Sequence, residues 1–235
     1  MEISPQTSLA DLVVQQPGRA RVFERFGVDY CCHGRLSLAE ACQEAGVEYK
    51  QVRRELEASD SGPGPFEEDW SAEPLSRLIE HIVEIHHNYL RCELPRLEGL
   101  MTKVAIHHGL RYHQLADLAE VFLAMKSELL EHMNKEERIL FPVIRRLEAG
   151  KAAPMTVNNP ISVMEGDHRH VSEALAAIRR LTNDYTPPQD GCTAFGALMA
   201  GLEELEEDLH QHIHKENNIL FPRAEKLERE LAQFV

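Results

Sequence analysis

His132 and Glu136 stand four positions apart, and so do His212 and Glu216. On a helix such a pair shares one face, with Cβ atoms roughly 5–6 Å apart, so an imidazole and a carboxylate can reach one metal cluster. The two pairs lie in register within a repeat. Glu131-His-Met-Asn-Lys-Glu-Glu-Arg-Ile-Leu-Phe-Pro142 aligns with Gln211-His-Ile-His-Lys-Glu-Asn-Asn-Ile-Leu-Phe-Pro222, eighty residues further on. The preceding segments match more faintly: aligning His87 with His168 also pairs Glu84 with Glu165 and Leu94 with Leu175. His87 and His168 thus complete a set of four histidines and two glutamates. Two copies of one helical hairpin, related by an approximate two-fold, suit two metal ions. Cations about 3.5–4 Å apart repel, and bridging carboxylates offset that repulsion. Glu136 and Glu216 are the natural bridges, with two histidines on each metal.

The donor types narrow the metal. Imidazole with carboxylate suits iron, manganese or zinc and lacks the thiolates of a structural zinc site. Carboxylate-rich dimetal sites inside helical bundles are a known solution for iron. Exposed, the same pairs would be i,i+4 decoration worth a few tenths of a kcal/mol. Buried without metal, each imidazole and carboxylate would cost on the order of kcal/mol to desolvate. The apolar Ile-Leu-Phe that follows each pair argues for the buried face. Glu128 and Asp208, one turn before His132 and His212, are expected to hold a ligand N–H from behind.

Other histidines fail the same test. His210 and His214 lie two residues either side of His212, about 200° around the helix, and cannot share its face. His107 and His108 fall in an expected loop. His86 competes with His87, but Val83, Leu90 and Leu94 flank His87 at −4, +3 and +7, whereas His86 has Glu93 at +7. Pro142 and Pro222, six residues after each glutamate, should kink their helices.

Cys31-Cys32 is the second chemical feature. Oxidised, adjacent cysteines close a strained eight-membered ring, and strained disulfides are the more readily reduced ones. His33 is placed to depress a thiol pKa. Two unrelated thiols in a turn would look the same, and the pair alone does not decide between these readings. Cys42, Cys92 and Cys192 are scattered and expected to be structural.

Helices must position all of this. In residues 1–60 apolar spacing predicts helices over Leu9–Val14 and Ala20–Phe26, with Pro17 in a first turn and Gly27 as a C-terminal cap. Ser37-Leu38-Ala39-Glu40 has the capping-box pattern. Ser59-Asp60-Ser61-Gly62-Pro63-Gly64-Pro65 is the most linker-like stretch and marks a domain boundary. From residue 71 to 235 the pattern is helical, interrupted around Ala105–Arg111, Gly150–Pro160 and Asn183–Gly191. No segment reads as a strand. The expectation is an all-α chain: a small N-terminal helical domain (1–60) and a four-helix bundle (71–235).

Composition bounds the rest. The 235 residues carry 25 Lys plus Arg against 39 Asp plus Glu, a formal charge of −14, which argues against nucleic-acid or anionic-membrane partners. No apolar run approaches the ~18 residues of a membrane span. The first residues lack a secretory pattern, and five cysteines without framework spacing do not make a disulfide scaffold. The expectation is a soluble, cytoplasmic protein.

Taken together, these residues resemble the repair-of-iron-centres family of di-iron proteins, from about residue 8 to 228. The resemblance rests on Asp29-Tyr30-Cys31-Cys32, on Asn159-Pro-Ile-Ser-Val-Met-Glu165 with His168, and on the two His-x-x-x-Glu stretches ending in Ile-Leu-Phe-Pro. It implies a hemerythrin-like bundle holding a non-haem, carboxylate-bridged di-iron centre, oxo- or hydroxo-bridged. Carried over by position, its ligands are His87, His132, Glu136, His168, His212 and Glu216, which favours His87 over His86. His33 stands where some relatives have Gly. Compared with oxygen-carrying hemerythrins, which the bundle also resembles, a Glu replaces a His, which weakens any inference of oxygen carriage.

The resemblance implies repair of iron–sulfur clusters damaged by nitrosative or oxidative stress, by iron donation. Both chemical features in one chain, joined by a flexible linker, add the expectation that Cys31 and Cys32 receive iron or supply electrons. Damaged iron–sulfur proteins would be the clients, and a homodimer is compatible with the resemblance. It also implies that the reduced centre binds nitric oxide. Scavenging or reduction of nitric oxide or nitrite, or sensing of nitric oxide for a regulator, are therefore the rival readings.

Overall fold

The structure is a computed structural model that describes residues 3–60, 70–151 and 153–233. Residues 61–65 of the expected linker lie outside the described residues. The secondary structure is helical. A single isolated bridge, Ser8 to Ser37, is the one extended pairing among the described residues. None of the described helices is long and apolar enough to cross a membrane.

The chain divides into two compact units, Met1–Leu78 together with His210–Val235, and Ile79–Leu209. The first unit begins with α1 (Leu9–Gln15), a 3₁₀ turn (Pro17–Arg19), α2 (Ala20–Arg25), α3 (Leu38–Glu44) and α4 (Tyr49–Ser59). The expected stop and start signals operate here. Gly27 takes φ +63° after α2, the left-handed conformation that glycine adopts without steric cost. Ser37 and Glu40 form a reciprocal capping box at the start of α3. Leu9, Leu12, Phe23, Leu38, Val52 and Leu56 are buried together with Tyr30. Arg19, itself buried, makes two bonds to the Asp60 carboxylate at 2.9 and 2.6 Å, and donates to the Leu12 carbonyl at 3.1 Å.

From Leu75 onward the described residues form four helical rods. They are α5 (Leu75–His81) running into α6 (Asn88–His108), α7 (Gln114–Lys135) into α8 (Phe141–Glu148), α9 (Asn158–Leu181), and α10 (Thr193–Lys215) into α11 (Phe221–Ala232). Each rod carries an apolar stripe at steps of three and four. On α7 the stripe is Leu115, Leu118, Phe122, Met125 and Leu129, and the next buried position on it is His132. On α9 it is Ile161, Met164, His168, Val171, Leu175 and Ile178. On α10, Leu198, Leu202, Leu205 and Leu209 lead to His212. Burying one such leucine contributes about 1.5–3 kcal/mol, and the histidines occupy the same facing positions. The rods turn them inward because the leucines must be inside.

Three π-helical turns interrupt the rods, at Ile82–His87, Glu136–Leu140 and Glu216–Leu220. In the latter two, the N–H of Phe141 reaches back to the Glu136 carbonyl, and that of Phe221 to the Glu216 carbonyl, five residues each. Pro142 and Pro222 follow directly. At each, the chain inserts one extra residue per turn and resumes α-helix around the proline, whose missing N–H and bulky ring disfavour the ordinary four-residue bond. The expected loop at 105–111 is shorter than the sequence suggests. α6 runs through Pro95 to His108 and is capped at Gly109, so His107 and His108 are helical.

Candidate metal centre

In the unit Ile79–Leu209, three elements bring donors to one place. Nε2 of His87 and Nε2 of His132 each lie 3.3 Å from the same oxygen, Oε2 of Glu136. Nε2 of His168 lies 3.2 Å from Nε2 of His132. The donor atoms of His132, Glu136 and His168 fall within 4.8 Å of one another. His87 and Glu136 have no solvent exposure, and the other two histidines are buried. The Glu136 carboxylate therefore stands between two imidazoles.

The far side of each ring explains how it is aimed. Nδ1 of His87 lies 2.7 Å from Oε1 of Glu137, which also accepts from Arg91 at 2.6 Å. Nδ1 of His132 lies 3.3 Å from Asp167, which accepts from Lys135 at 2.9 Å. The rings of His87 and Phe141 stack at 5.8 Å between centroids. An ionised carboxylate only accepts, so each Nδ1 carries the hydrogen and each Nε2 presents a lone pair inward. Both carboxylates are held ionised. Partial burial opposes the charge on Glu137, but His87 and Arg91 bring its pKa below the usual range. The hydrogen bond from His132, and then Lys135, bring that of Asp167 down further, against the cost of burial.

Lone pairs and a carboxylate oxygen facing one another at 3.2–3.3 Å repel unless a proton or a cation lies among them. Buried imidazole with carboxylate is the donor set of a borderline divalent cation. The residues present fit a metal.

In the other unit, His212 and Glu216 form the equivalent pair, with Nε2 3.0 Å from Oε1, and both are buried. The two residues after Glu216 turn to the cysteine loop. Asn217 donates to the Cys31 carbonyl at 3.2 Å, and Asn218 to the carbonyls of Tyr30 (3.3 Å) and Cys31 (3.2 Å). Nδ1 of His214 lies 3.0 Å from Nδ2 of Asn218, and the Tyr30 ring packs 5.4 Å from the His214 ring. A Cβ at Gly34 would collide with Oδ1 of Asn218, so glycine is required for this approach. Burial brings the His214 pKa down to about 3 and keeps its ring neutral.

Cys31 and Cys32 are not disulfide-bonded; their sulfurs are 4.0 Å apart. Cys31 is buried, and its thiol donates to Oδ1 of Asp29 at 3.1 Å. The Cys32 thiol beside it, burial and the Asp29 charge together raise the Cys31 pKa well above its ordinary value. This corrects, for Cys31, the expectation that His33 would lower a thiol pKa; Nδ1 of His33 is engaged by Oδ2 of Asp29 at 2.9 Å.

Three other expectations change. Asp208 lies against Nδ1 of His86 at 2.8 Å, and Glu128 is exposed. Behind His87 and His132 stand Glu137 and Asp167 instead. A glutamate next to a candidate ligand was the available signal for Glu137; nothing in the linear pattern marked Asp167. His86 is buried like His87 although Glu93 stands at +7 from it, and both lie in the π turn at Ile82–His87. Cys42 is buried as expected of a structural residue, whereas Cys92 and Cys192 are exposed.

Residues 78–224 match the hemerythrin HHE cation-binding domain, and residues 5–60 match ScdA_N, a domain of unknown function (DUF542). The chain is 38% identical over 216 residues to the iron-sulfur cluster repair protein YtfE of Cronobacter sakazakii, covering 92% of this chain and 95% of that one. Its counterparts in Citrobacter koseri and Escherichia coli are 37% identical over the same shares. The chain belongs to the repair-of-iron-centres family of hemerythrin HHE proteins. Membership in a cation-binding family implies a metal site within 78–224, the span that holds His87, His132, Glu136, His168, His212 and Glu216. The ScdA_N match contains Asp29, Cys31 and Cys32.

Proposed function

We propose that this protein repairs iron–sulfur clusters damaged by nitrosative or oxidative stress, and that it does so by releasing iron from a di-iron centre. The function follows that of its relatives in Cronobacter sakazakii and Citrobacter koseri, which are named iron-sulfur cluster repair proteins. The observation that carries it to this chain is the Glu136 carboxylate flanked at 3.3 Å by His87 and His132. In this reading His87, His132, Glu136, His168, His212 and Glu216 would hold two non-haem irons. The repeat supports it, since His212 and Glu216 present the same buried pair as His132 and Glu136.

The bound irons would supply labile Fe(II) as cargo and open positions for small molecules such as nitric oxide. The chain's own residues keep that cargo exchangeable. Nitrogen and oxygen donors hold ferrous iron less tightly than a thiolate cage would, and Glu137 and Asp167 fix the rings without adding ligands. Residues 71–235 act as the metal-bearing bundle and residues 1–60 as the thiol-bearing domain, where Cys31 and Cys32 receive iron or supply electrons. Clients are damaged iron–sulfur proteins of the cytoplasm.

Iron quantitation with Mössbauer spectroscopy should give two coupled irons per chain. With a nitrosylated [4Fe–4S] enzyme as client, each turnover of repair should deplete bound iron, and replacing Cys31 and Cys32 by Ser should abolish repair while leaving the loaded iron in place. Multiple turnovers of nitric oxide or nitrite with a reductant and no loss of iron would overturn the reading in favour of an enzyme. Stoichiometric nitric oxide binding without repair would overturn it in favour of a sensor.

A further inference from the structure

We propose that Asp29, Cys31 and Cys32 form a second cation site, a thiolate–carboxylate cradle for a borderline divalent ion such as Fe(II), built from residues distinct from the histidine–glutamate cluster. One donor atom from each of the three lies within 4.8 Å of the others. The sulfur separation is the informative number. At 4.0 Å it is twice the length of a disulfide, about 2.05 Å. Two thiolates on one tetrahedral ion, each bond about 2.3 Å, would stand about 3.8 Å apart. The thiols are therefore held at the spacing of a chelate, not of a bond.

The loop is built to keep them there. Oδ1 of Asp29 accepts from the backbone N–H of Cys31 at 3.1 Å and of Cys32 at 2.9 Å, as well as from the Cys31 thiol. Asn217 and Asn218 hold the carbonyls of Tyr30 and Cys31 from the other side. The buried Tyr30 ring packs between Phe23 (6.0 Å) and His214 (5.4 Å) and anchors the loop, and Tyr30 donates its hydroxyl hydrogen to Glu24 at 2.9 Å. Cys31 is buried, while Cys32 and Asp29 are partly exposed and provide the entry. Burial opposes the charge of Asp29, yet its bonds from the Cys32 backbone and the Cys31 thiol, with His33 nearby, keep it ionised. Without a cation, the same contacts leave Cys31 a buried, protonated thiol. A cation entering between the sulfurs displaces two thiol protons to solvent, and no electron changes hands. Three protein ligands leave a tetrahedral ion one open position, as in sites whose ion must react rather than merely brace the fold.

Only the identity of the physiological ion rests on the proposed iron-donating function; the cradle itself does not. Cobalt(II) is the probe, added to the full-length chain with the exposed Cys92 and Cys192 changed to Ser. Thiolate-to-cobalt charge transfer in the near ultraviolet reports sulfur ligation, to which the histidine–glutamate cluster cannot contribute. We expect one cobalt per chain to produce that absorption, Cys31→Ser with Cys32→Ser to abolish it, and Asp29→Asn to weaken cobalt binding by about tenfold. The asparagine oxygen still accepts the two backbone N–H groups, so the loop keeps its turn. Absent charge transfer, charge transfer that survives the double serine variant, or undiminished affinity in Asp29→Asn would each overturn the inference. Those outcomes leave the iron count and the repair assay untouched. A chain that binds cobalt here but repairs nothing refutes the proposed function instead.

Discussion

The stretches Glu131–Pro142 and Gln211–Pro222 are two versions of one device, and they agree and differ in separate places. Both place a buried histidine four residues before a buried glutamate, open a π turn at that glutamate, and close it before a proline. They diverge at the next two positions, Glu137-Arg138 in one copy and Asn217-Asn218 in the other. Glu137 holds the outer nitrogen of His87. Asn217 and Asn218 hold the backbone of the cysteine loop. What the copies share is a buried imidazole–carboxylate pair, and what they do not share sets what the following residues hold. In the first copy that is the His87 imidazole, and in the second it is the thiol-bearing loop.

The shared part gives the largest effect. On the proposed reading, in which each glutamate serves both ions, Glu136→Ala and Glu216→Ala should each remove most of the bound metal. Metal content after gel filtration should fall from about two ions per chain to well under one in either variant. Full loading in Glu216→Ala beside an empty Glu136→Ala would break the equivalence of the copies.

The divergent part should separate two phenotypes. Glu137→Gln exchanges a charged acceptor behind His87 for a neutral one and should weaken metal affinity by about 10–100-fold, measured by competition with a chromophoric chelator. Thiol reactivity should not change. Asn218→Ala should do the reverse. It removes hydrogen bonds worth about 1 kcal/mol each, loosens the loop, and should raise the alkylation rate of Cys31 by about fivefold with metal affinity intact. A variant that moves both readouts would mean the two copies are not divided in this way.

The burial of the candidate donors was legible in the sequence because it rides on the hydrophobic pattern. Leucines at steps of three and four place His132, His168 and His212 on the inner face without any knowledge of the partners. The capping box at Ser37 and the Gly27 turn were legible for a similar reason, since each depends on a few adjacent residues. What stayed hidden depends on contacts between distant segments or on a local change of helical period. Asp167 reaches His132 from another helix, thirty-five positions away. His86 and His87 are both buried in a π turn that no proline announces. The expectation that His33 lowers a thiol pKa does not hold for Cys31, which the Cys32 thiol and burial push up, while His33 bonds Asp29.

That unannounced π turn sharpens the smallest prediction. Restoring an N–H at Pro142 or Pro222 by substitution with Ala lets either helix resume the ordinary four-residue bond, which would rotate Glu136 or Glu216 away from its present direction. If proline alone enforced the π turns, both variants would lose metal as fully as the glutamate variants. Ile82–His87 adopts the same turn with no proline directly after it, so packing around the buried donors can hold a π turn by itself. We therefore expect only a few-fold loss of metal affinity in Pro142→Ala and Pro222→Ala, and a similar loss in each. A large loss in one copy and none in the other would show that the copies reach the same geometry by different means, proline in one and packing in the other.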